Sequence, residues 1–177
     1  PIYKTVVAEY KALLERKTLI EAELPALPHG YISHKTINGK VYDYLQSKVS
    51  GKTVSEYLKG NDAERIGKQL SLRKQYEAEL PELNKRLGEL EQAARLIGNG
   101  LDRTLLLLKS SAGMDRLDAG QKERCISFAA AMNAIEGVPV SSETAAGINE
   151  WRNGRASFLS VFEATLKRYG FAAGEAR

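Results

Sequence analysis

A carboxylate close to a predicted helix end is the residue of this sequence with the clearest chemistry. Glu136 is followed by Gly137 and, two residues on, by Pro139, which is the usual pattern of a helix stop. Its side chain would face the negative end of the helix dipole, where a carboxylate is unfavourable by roughly 0.3 kcal/mol. A functional reason would be a bidentate pair with an arginine of another protein, displacing a phosphate that the arginine would otherwise hold. The alternative is a solvated carboxylate before a capping glycine.

A second group of residues combines lysines with tyrosines between residues 31 and 58. Lysines can grip a nucleic-acid backbone, and tyrosine rings can stack on bases. The same residue types are also ordinary on a small exposed sheet, where tyrosines pair across strands and lysines discourage aggregation at the edges. Nucleic acid is therefore an alternative partner and not the favoured one. Its candidate contacts are Lys35, Lys40, Lys48, Lys52, Tyr42 and Tyr44.

Other kinds of chemistry lack the residues they need. No cysteine or acidic cluster accompanies the two histidines, His29 and His34, so the sequence predicts no metal site and no cofactor. Neither common glycine-rich phosphate loop is present, and no nucleophile, base and orienting group stand together. Residues 98–100, Gly-Asn-Gly, resemble the core of the catalytic loop of Fic enzymes, but an isoleucine and a leucine replace its flanking histidine and arginine. The sequence therefore predicts a binding protein and not an enzyme.

The candidate residues must be positioned by the surrounding elements, of which the clearest are two heptad-patterned segments, near residues 2–27 and 61–101. In each, apolar or spacer residues alternate by four and three, with one slip in the second segment, and this spacing keeps one seam facing a partner helix. The pattern predicts an antiparallel coiled-coil hairpin, and it fits a homodimer equally well. Because proline disfavours a helix interior, we expect the first helix to end near Leu24 and the second to kink or break near Pro81. The seam residues are Val6, Tyr10, Leu13, Lys17, Ile20, Leu24 and Leu27, then Ile66, Leu70, Arg73, Tyr76, Leu80, Leu83, Leu87, Leu90, Ala94, Ile97 and Leu101.

Between the two segments the pattern changes from helical to alternating. Asn38-Gly39 separates two alternating runs, which is a strong hairpin signal because a type I′ turn needs positive φ at both central residues. A serine–glycine pair separates the next two runs. The sequence thus predicts a small three-stranded β-meander at about residues 31–58, at the tip of a coiled-coil arm of residues 1–110.

The same part of the chain is similar to known sequences. Residues 27–32, 38–42, 44–46, 51–52 and 57–58 together resemble a group of small bacterial proteins of unknown function. That resemblance covers the arm and implies a helix, a small sheet and a second helix. It implies no activity.

The rest of the chain predicts a module of three short helices. Residues 110–113, Ser-Ser-Ala-Gly, predict a flexible linker with a domain boundary close to it. We assign residues 118–171 to the module and residues 172–177 to a tail. The module's helices are predicted at residues 121–136, 141–153 and 157–169.

Several short motifs of this module occur in the order found in one antitoxin family. The motifs are residues 133–141, Glu150-Trp151, Gly154, Ser157 and residues 166–170. With them, residues 121–171 resemble the VbhA-type antitoxins, which silence Fic-domain AMP-transferases. The resemblance implies a short helical protein that docks on a Fic-domain toxin.

In that family, a motif of Ser or Thr, three residues, Glu, and then Gly or Asn supplies a glutamate that pairs with an arginine of the toxin's active site. By resemblance these residues are Glu136 and Gly137, with Asn133 and Met132 lining the contact. The γ-phosphate of ATP then cannot be oriented for AMP transfer. Met132 stands at the hydroxyl position, and a thioether cannot donate the hydrogen bond that a hydroxyl would.

The overall composition bounds the remaining possibilities. The 26 basic and 22 acidic residues give a net charge of +4, which is too small to indicate nucleic-acid binding by itself, and a single cysteine excludes an internal disulfide. No apolar run approaches the roughly 20 residues of a membrane span, and no signal-peptide core is present. We therefore expect a cytoplasmic, mainly α-helical bacterial antitoxin that binds a Fic-domain toxin and no membrane.

Overall fold

The chain is mainly α-helical with one small sheet, as the sequence predicted. The computed structural model describes residues 2–170, which contain six α-helices, a short 3₁₀ turn at Leu24–Ala26 and three antiparallel strands. None of these helices is long and apolar enough to cross a membrane. The helices are α1 (Ile2–Glu23), α2 (Asp62–Ile97), α3 (Leu101–Asp115), α4 (Ala119–Glu136), α5 (Ser142–Arg152) and α6 (Phe158–Arg168). The strands are β1 (Tyr31–Ile37), β2 (Lys40–Val49) and β3 (Lys52–Leu58).

The sheet is a meander in the order β1-β2-β3, with both strand pairs antiparallel. Each of its two turns has positive φ at both central residues: 51° at Asn38 and 76° at Gly39, then 50° at Ser50 and 79° at Gly51. Such turns match the twist of the flanking strands. The predicted meander at residues 31–58 is confirmed.

The two prolines of the helical segments behave differently. Helix α1 ends two residues before Pro25, which lies in the 3₁₀ turn, so the predicted end near Leu24 is confirmed. Helix α2 continues for 36 residues and contains Pro81. Proline costs about 3 kcal/mol in a helix interior, but the buried side chains Tyr76 and Leu83 lie on either side of it and anchor the helix. The helix does not break at Pro81, so the expectation of a break is wrong, while the alternative expectation of a kink stays a prediction.

The predicted linker at residues 110–113 is also wrong, because these residues lie inside α3. Ser111 is only 2% exposed and continues a buried stripe formed by Leu101, Leu105 and Leu108. Residues spaced by three and four along a helix share one face. The small side chains that suggested flexibility therefore belong to a packed helix face.

The chain divides into two compact units. One comprises residues 15–87, and the other combines the residues up to Leu14 with those from Gly88 onward. The assignment of residues 118–171 to a separate module, and of residues 172–177 to a tail, stays a prediction; residues 171–177 lie outside the described part of the chain.

In the unit of residues 15–87, side chains of α1 contact side chains of α2. Arg16 donates two hydrogen bonds of 2.7 Å to the Glu79 carboxylate, and the Tyr76 hydroxyl donates to Glu23. Arg73 donates to the carbonyl oxygens that precede and follow the 3₁₀ turn's proline, at 3.2 and 2.8 Å. The buried apolar side chains of this unit are Ile20, Leu58, Tyr76, Leu83 and Leu87.

In the other unit, α1 contacts the end of α2 and the start of α3. The Tyr10 hydroxyl donates a hydrogen bond of 2.7 Å to Glu91, and the hydroxyls of Tyr3 and Thr104 lie 2.6 Å apart. Burial raises the pKa of Tyr10 well above its ordinary value, and the hydrogen bond and the charge of Glu91 act in the same direction. The buried apolar side chains of this unit are Tyr10, Leu14, Leu90, Ala94, Leu101, Leu105, Leu108 and Trp151.

Candidate partner-binding sites

Helix α4 has well-formed caps at both ends. The Asp118 carboxylate accepts a hydrogen bond from the Gln121 amide at 2.7 Å, and the Gln121 side chain accepts one from the Asp118 amide at 2.9 Å. This reciprocal capping box fixes the first turn. At the other end, Gly137 has a φ of 67°, and the Val138 amide donates to the Asn133 carbonyl at 2.9 Å. The predicted helix stop at Glu136-Gly137 is confirmed.

The carboxylate of Glu136 is therefore held at the last residue of a regular helix. It is exposed, and no hydrogen bond or ion pair holds it within residues 2–170. Most other acidic residues near helix ends behave differently: Glu150, for example, accepts two hydrogen bonds of 2.8 Å from Arg155, which hold its pKa below the usual range. Glu136 is thus available to a cation from outside the described chain.

An exposed apolar stripe runs along α4 toward Glu136. We define the α4 stripe as Phe128, Met132 and Ile135, which are 69%, 40% and 80% exposed. Their spacing of four and three places them on one side of the helix, and Glu136 follows Met132 by four residues in the same row. Contiguous exposed apolar side chains of this size mark interaction surfaces more often than isolated ones do.

A neighbouring side of α4 faces α5 and α6 across an apolar cleft of about 420 Å³. Asn133 lines this cleft, together with Ile126 and Ala130 of the same helix. The four residues predicted at the contact therefore do not share one surface of the helix. Met132 and Glu136 lie along the stripe, Gly137 caps the helix, and Asn133 faces the cleft.

Trp151 of α5 anchors the start of α4. The Lys122 ammonium, which belongs to a side chain only 8% exposed, donates to the Trp151 carbonyl at 3.2 Å and lies 5.0 Å from the centre of its ring. The indole N–H donates to Asp115 at 2.9 Å, and the same carboxylate oxygen accepts the Phe158 amide at 2.7 Å. Sequence patterns missed Lys122 and Asp115, because these contacts join residues 29 to 43 positions apart.

The ends of α5 and α6 are tied together by a cluster of hydroxyl groups. Arg168 donates to the hydroxyls of Ser141 and Thr144 at 3.2 and 3.0 Å. Glu143 lies beside them in the first turn of α5, and its own backbone amide, followed by the hydroxyls of Ser141 and Ser142, holds its pKa below the usual range. The cluster fixes the segment that follows Gly137 onto the rest of the unit.

The sheet provides a second surface, whose two sides differ in charge. Successive side chains of a strand point to opposite faces, and directly paired residues share a face. The register pairs Lys35 with Tyr42 and Tyr44 with Tyr57, whereas Asp43 pairs with His34 and Glu56 with Leu45 on the other side. We call the first side the Tyr/Lys face; its charged and aromatic residues are Tyr31, Lys35, Lys40, Tyr42, Tyr44, Lys48 and Tyr57.

Contacts between side chains confirm this arrangement. The ring of Tyr57 lies 6.0 Å from that of Tyr42 and 5.6 Å from that of Tyr44, and the Lys35 ammonium lies 4.6 Å from the centre of the Tyr44 ring. Five of the six predicted nucleic-acid contacts therefore share one face. Lys52 is the exception, because it pairs with Val49 on the opposite face.

The two histidines do not come together with other metal ligands. His34 Nδ1 lies 2.6 Å from an Asp43 carboxylate oxygen, and His29 Nε2 lies 3.4 Å from the Lys48 carbonyl oxygen. Across the part of the chain that the structure describes, no group of three or more His, Cys, Asp or Glu side chains could hold a metal ion.

Comparison with known proteins adds one finding. A family model described as a domain of unknown function (DUF6788) matches residues 10–68, which contain the whole sheet with parts of α1 and α2. No match was found among curated proteins or among solved structures. The match names no activity, and it does not reach α4.

Proposed function

We propose that the protein is an antitoxin-like inhibitor of a Fic-domain AMP-transferase, with α4 as the docking helix and Glu136 as the inhibitory carboxylate. One observation carries this proposal: an exposed, unpaired carboxylate ends the helix that carries the exposed apolar α4 stripe. It adds to the resemblance of residues 121–171 to VbhA-type antitoxins.

The α4 stripe supplies the docking energy in this proposal. Burying an exposed side chain of the size of Phe128 or Ile135 contributes about 1.5–3 kcal/mol. The stripe leads directly to Glu136, so docking brings the carboxylate to a defined place on the partner. A carboxylate without an internal partner gives up only water when an arginine binds it, and a bidentate pair is the strongest form of that contact.

The glycine after Glu136 shapes the end of the docking helix. With φ at 67°, Gly137 turns the chain away immediately after the carboxylate, so no further helical turn follows to cover it.

The arginine that pairs with Glu136 would then be withdrawn from the γ-phosphate of ATP, and the nucleotide could not be oriented for AMP transfer. Because ATP is the co-substrate of that partner, the proposed site of action is the cytoplasm.

At Met132 the proposed contact is apolar. Its thioether is 40% exposed within the stripe and would pack against the partner where a hydroxyl would donate a hydrogen bond. Asn133 lines the cleft and would act by holding α4 in position.

We further propose that α1 and α2 pair within one chain as an antiparallel coiled coil. The hydrogen bonds of Arg16 with Glu79 and of Tyr10 with Glu91 support pairing inside each compact unit. The alternative, a homodimer through the same seam, is distinguished by the mass of the purified protein in light scattering: a monomer supports the proposal, and a stable dimer overturns it.

The inhibitory role is tested by co-expression with a Fic enzyme encoded next to this gene, recognised by His-Pro-Phe followed by Gly-Asn-Gly-Arg. We expect Glu136→Gln to release protein AMPylation while the two proteins still copurify, because the substitution removes the charge and keeps the shape. Glu82→Gln, at an exposed position on α2, is the matched control and should leave inhibition intact. Full suppression of AMPylation by the Glu136→Gln complex would overturn the mechanism.

A further inference from the structure

The Tyr/Lys face carries no negative charge of its own. Asp43 and Glu56 are the two acidic residues within residues 31–58, and the strand register places both on the opposite face. On the Tyr/Lys face stand three lysines, at positions 35, 40 and 48, all of them exposed. Neighbouring carboxylates therefore do not neutralise these lysines within the sheet, and the face attracts anions.

The tyrosines of this face are exposed or half-buried, and none of the four is fully buried. Tyr31 is 60% exposed and Tyr57 is 45% exposed, while Tyr42 and Tyr44 are half-buried beside Tyr57. Four tyrosines thus cover all three strands, with lysines between and beyond them. A flat surface of this kind can offer stacking partners and phosphate partners at the same time.

Part of the other face of the sheet is buried or in contact with α2, while Val41, Val49 and Val54 of that face are exposed. Leu58 is buried, and the Ile32 side chain lies against Gly67 of α2. These contacts hold the sheet on the helix by one face and leave the Tyr/Lys face outward. The same unit therefore supports the sheet and presents its charged, aromatic side.

We propose that the Tyr/Lys face binds single-stranded nucleic acid, DNA or RNA, with Lys35, Lys40 and Lys48 at the phosphates and the tyrosine rings stacked on bases. Stacking requires unpaired bases, so a duplex is a poor ligand for this face. An acidic protein would use the lysines and leave the ring faces without a role. This site is independent of the inhibitory carboxylate of α4 and stands if that proposal fails.

The test uses the purified full-length chain and fluorescein-labelled oligothymidylate and oligouridylate of about 20 nucleotides, long enough to cover one binding face. Binding is followed by fluorescence anisotropy at low and rising salt. We expect Lys40→Glu with Lys48→Glu to weaken binding at least about tenfold and to flatten its salt dependence. Lys52→Glu makes the same change of charge on the opposite face and should bind like the parent protein.

A second pair of variants separates stacking from charge. Tyr44→Leu removes a ring and should weaken binding about fivefold or more, whereas Tyr44→Phe keeps the ring and should retain it. Circular dichroism confirms that each variant is folded, and Lys40→Glu alone replaces the double variant if that one is not.

Each of four results would overturn the proposal. These are no binding at low salt, an equal loss with Lys52→Glu, equal affinity for the corresponding duplex, and equal binding by Tyr44→Leu and Tyr44→Phe. The last two would show that the lysines attract any polyanion and that the tyrosine rings take no part.

Discussion

The α4 stripe and the Tyr/Lys face are both exposed surfaces, but their chemistry is opposite. The stripe consists of apolar side chains that end at one unpaired carboxylate, whereas the sheet face consists of lysines and tyrosines with no carboxylate. The overall charge of +4 reflects neither surface. Charge averaged over a chain is therefore a weak guide to partners, because the fold sorts residues onto separate faces.

The two surfaces also differ in how they are built. The stripe comes from one helix, where positions three and four residues apart share a side. The Tyr/Lys face needs three strands in a fixed register, because its residues come from positions 31 to 57. Their proposed partners follow from this chemistry: a protein pocket with an arginine for the stripe, and single-stranded nucleic acid for the sheet.

The largest expected effect tests whether the α4 stripe depends on Trp151, which anchors the start of α4. Trp151→Ala removes a side chain that is 3% exposed, together with its indole N–H bond to Asp115 and the ring beside the Lys122 ammonium. We expect the free energy of unfolding to fall by about 3–5 kcal/mol, measured by urea denaturation with circular dichroism. Inhibition of the Fic enzyme should be lost while oligonucleotide binding persists.

Trp151→Phe is the control for this prediction. It keeps an aromatic ring against Phe158, whose centre lies 5.3 Å away, but loses the indole N–H and part of the ring volume, so its cost should be about 1–3 kcal/mol. A change of less than about 1 kcal/mol for Trp151→Ala would contradict the anchoring role.

A smaller effect separates the stripe from ordinary exposed apolar residues. Phe128→Asp should weaken the complex with the Fic enzyme about thirtyfold or more, because an anchor of the interface becomes charged. Leu106→Asp on α3 is the matched control, since Leu106 is 63% exposed against 69% for Phe128. Calorimetry with the purified enzyme measures both, and equal losses would show that the stripe has no special role.

The pH dependence of stability tests the burial of Tyr10, which belongs to the same compact unit as α4. Since burial and Glu91 raise the pKa of Tyr10, the folded state favours its neutral hydroxyl. The stabilisation is fully present below the ordinary tyrosine pKa of about 10 and is lost as pH rises above it. Tyr10→Phe should lower stability by about 1–2 kcal/mol at neutral pH and reduce the loss at alkaline pH. An unchanged alkaline profile would rule out Tyr10 as its source.

The smallest expected effect concerns the helix end beside Glu136. Gly137→Ala forces an alanine to a φ of 67°, where space is open and only backbone strain acts, so stability should fall by about 1 kcal/mol. Gly113→Ala, inside α3 and also in open space, should instead raise stability by about 0.5–1 kcal/mol. Thermal unfolding measures both, and changes of the same sign would contradict the assigned conformations.

Local patterns predicted much of the fold. The Asn38-Gly39 turn and the helix stop at Gly137 follow from backbone conformations that few residues adopt, and both are present. Residues 110–113 form no linker and the helix does not break at Pro81, for one physical reason: helix-breaking tendencies of a few kcal/mol or less are overridden when neighbouring residues are buried.

The candidate sites were less predictable from the sequence than the fold was. The sequence identified Glu136 and Met132, and the structure adds their exposure and the stripe they share with Phe128 and Ile135. The sequence-based prediction grouped Lys52 with the other lysines, because residue type alone does not reveal which face of a sheet a side chain occupies. Register supplies that information only once the turns and strand ends are known.

The most direct test of two separate binding surfaces measures both activities on the same variants of the full-length protein. One variant carries Phe128→Asp with Glu136→Gln, and the other carries Lys40→Glu with Lys48→Glu. We predict that the first loses inhibition of AMPylation and keeps oligonucleotide affinity, while the second shows the reverse. Loss of both activities in either folded variant would contradict the claim that two separate surfaces bind two kinds of partner.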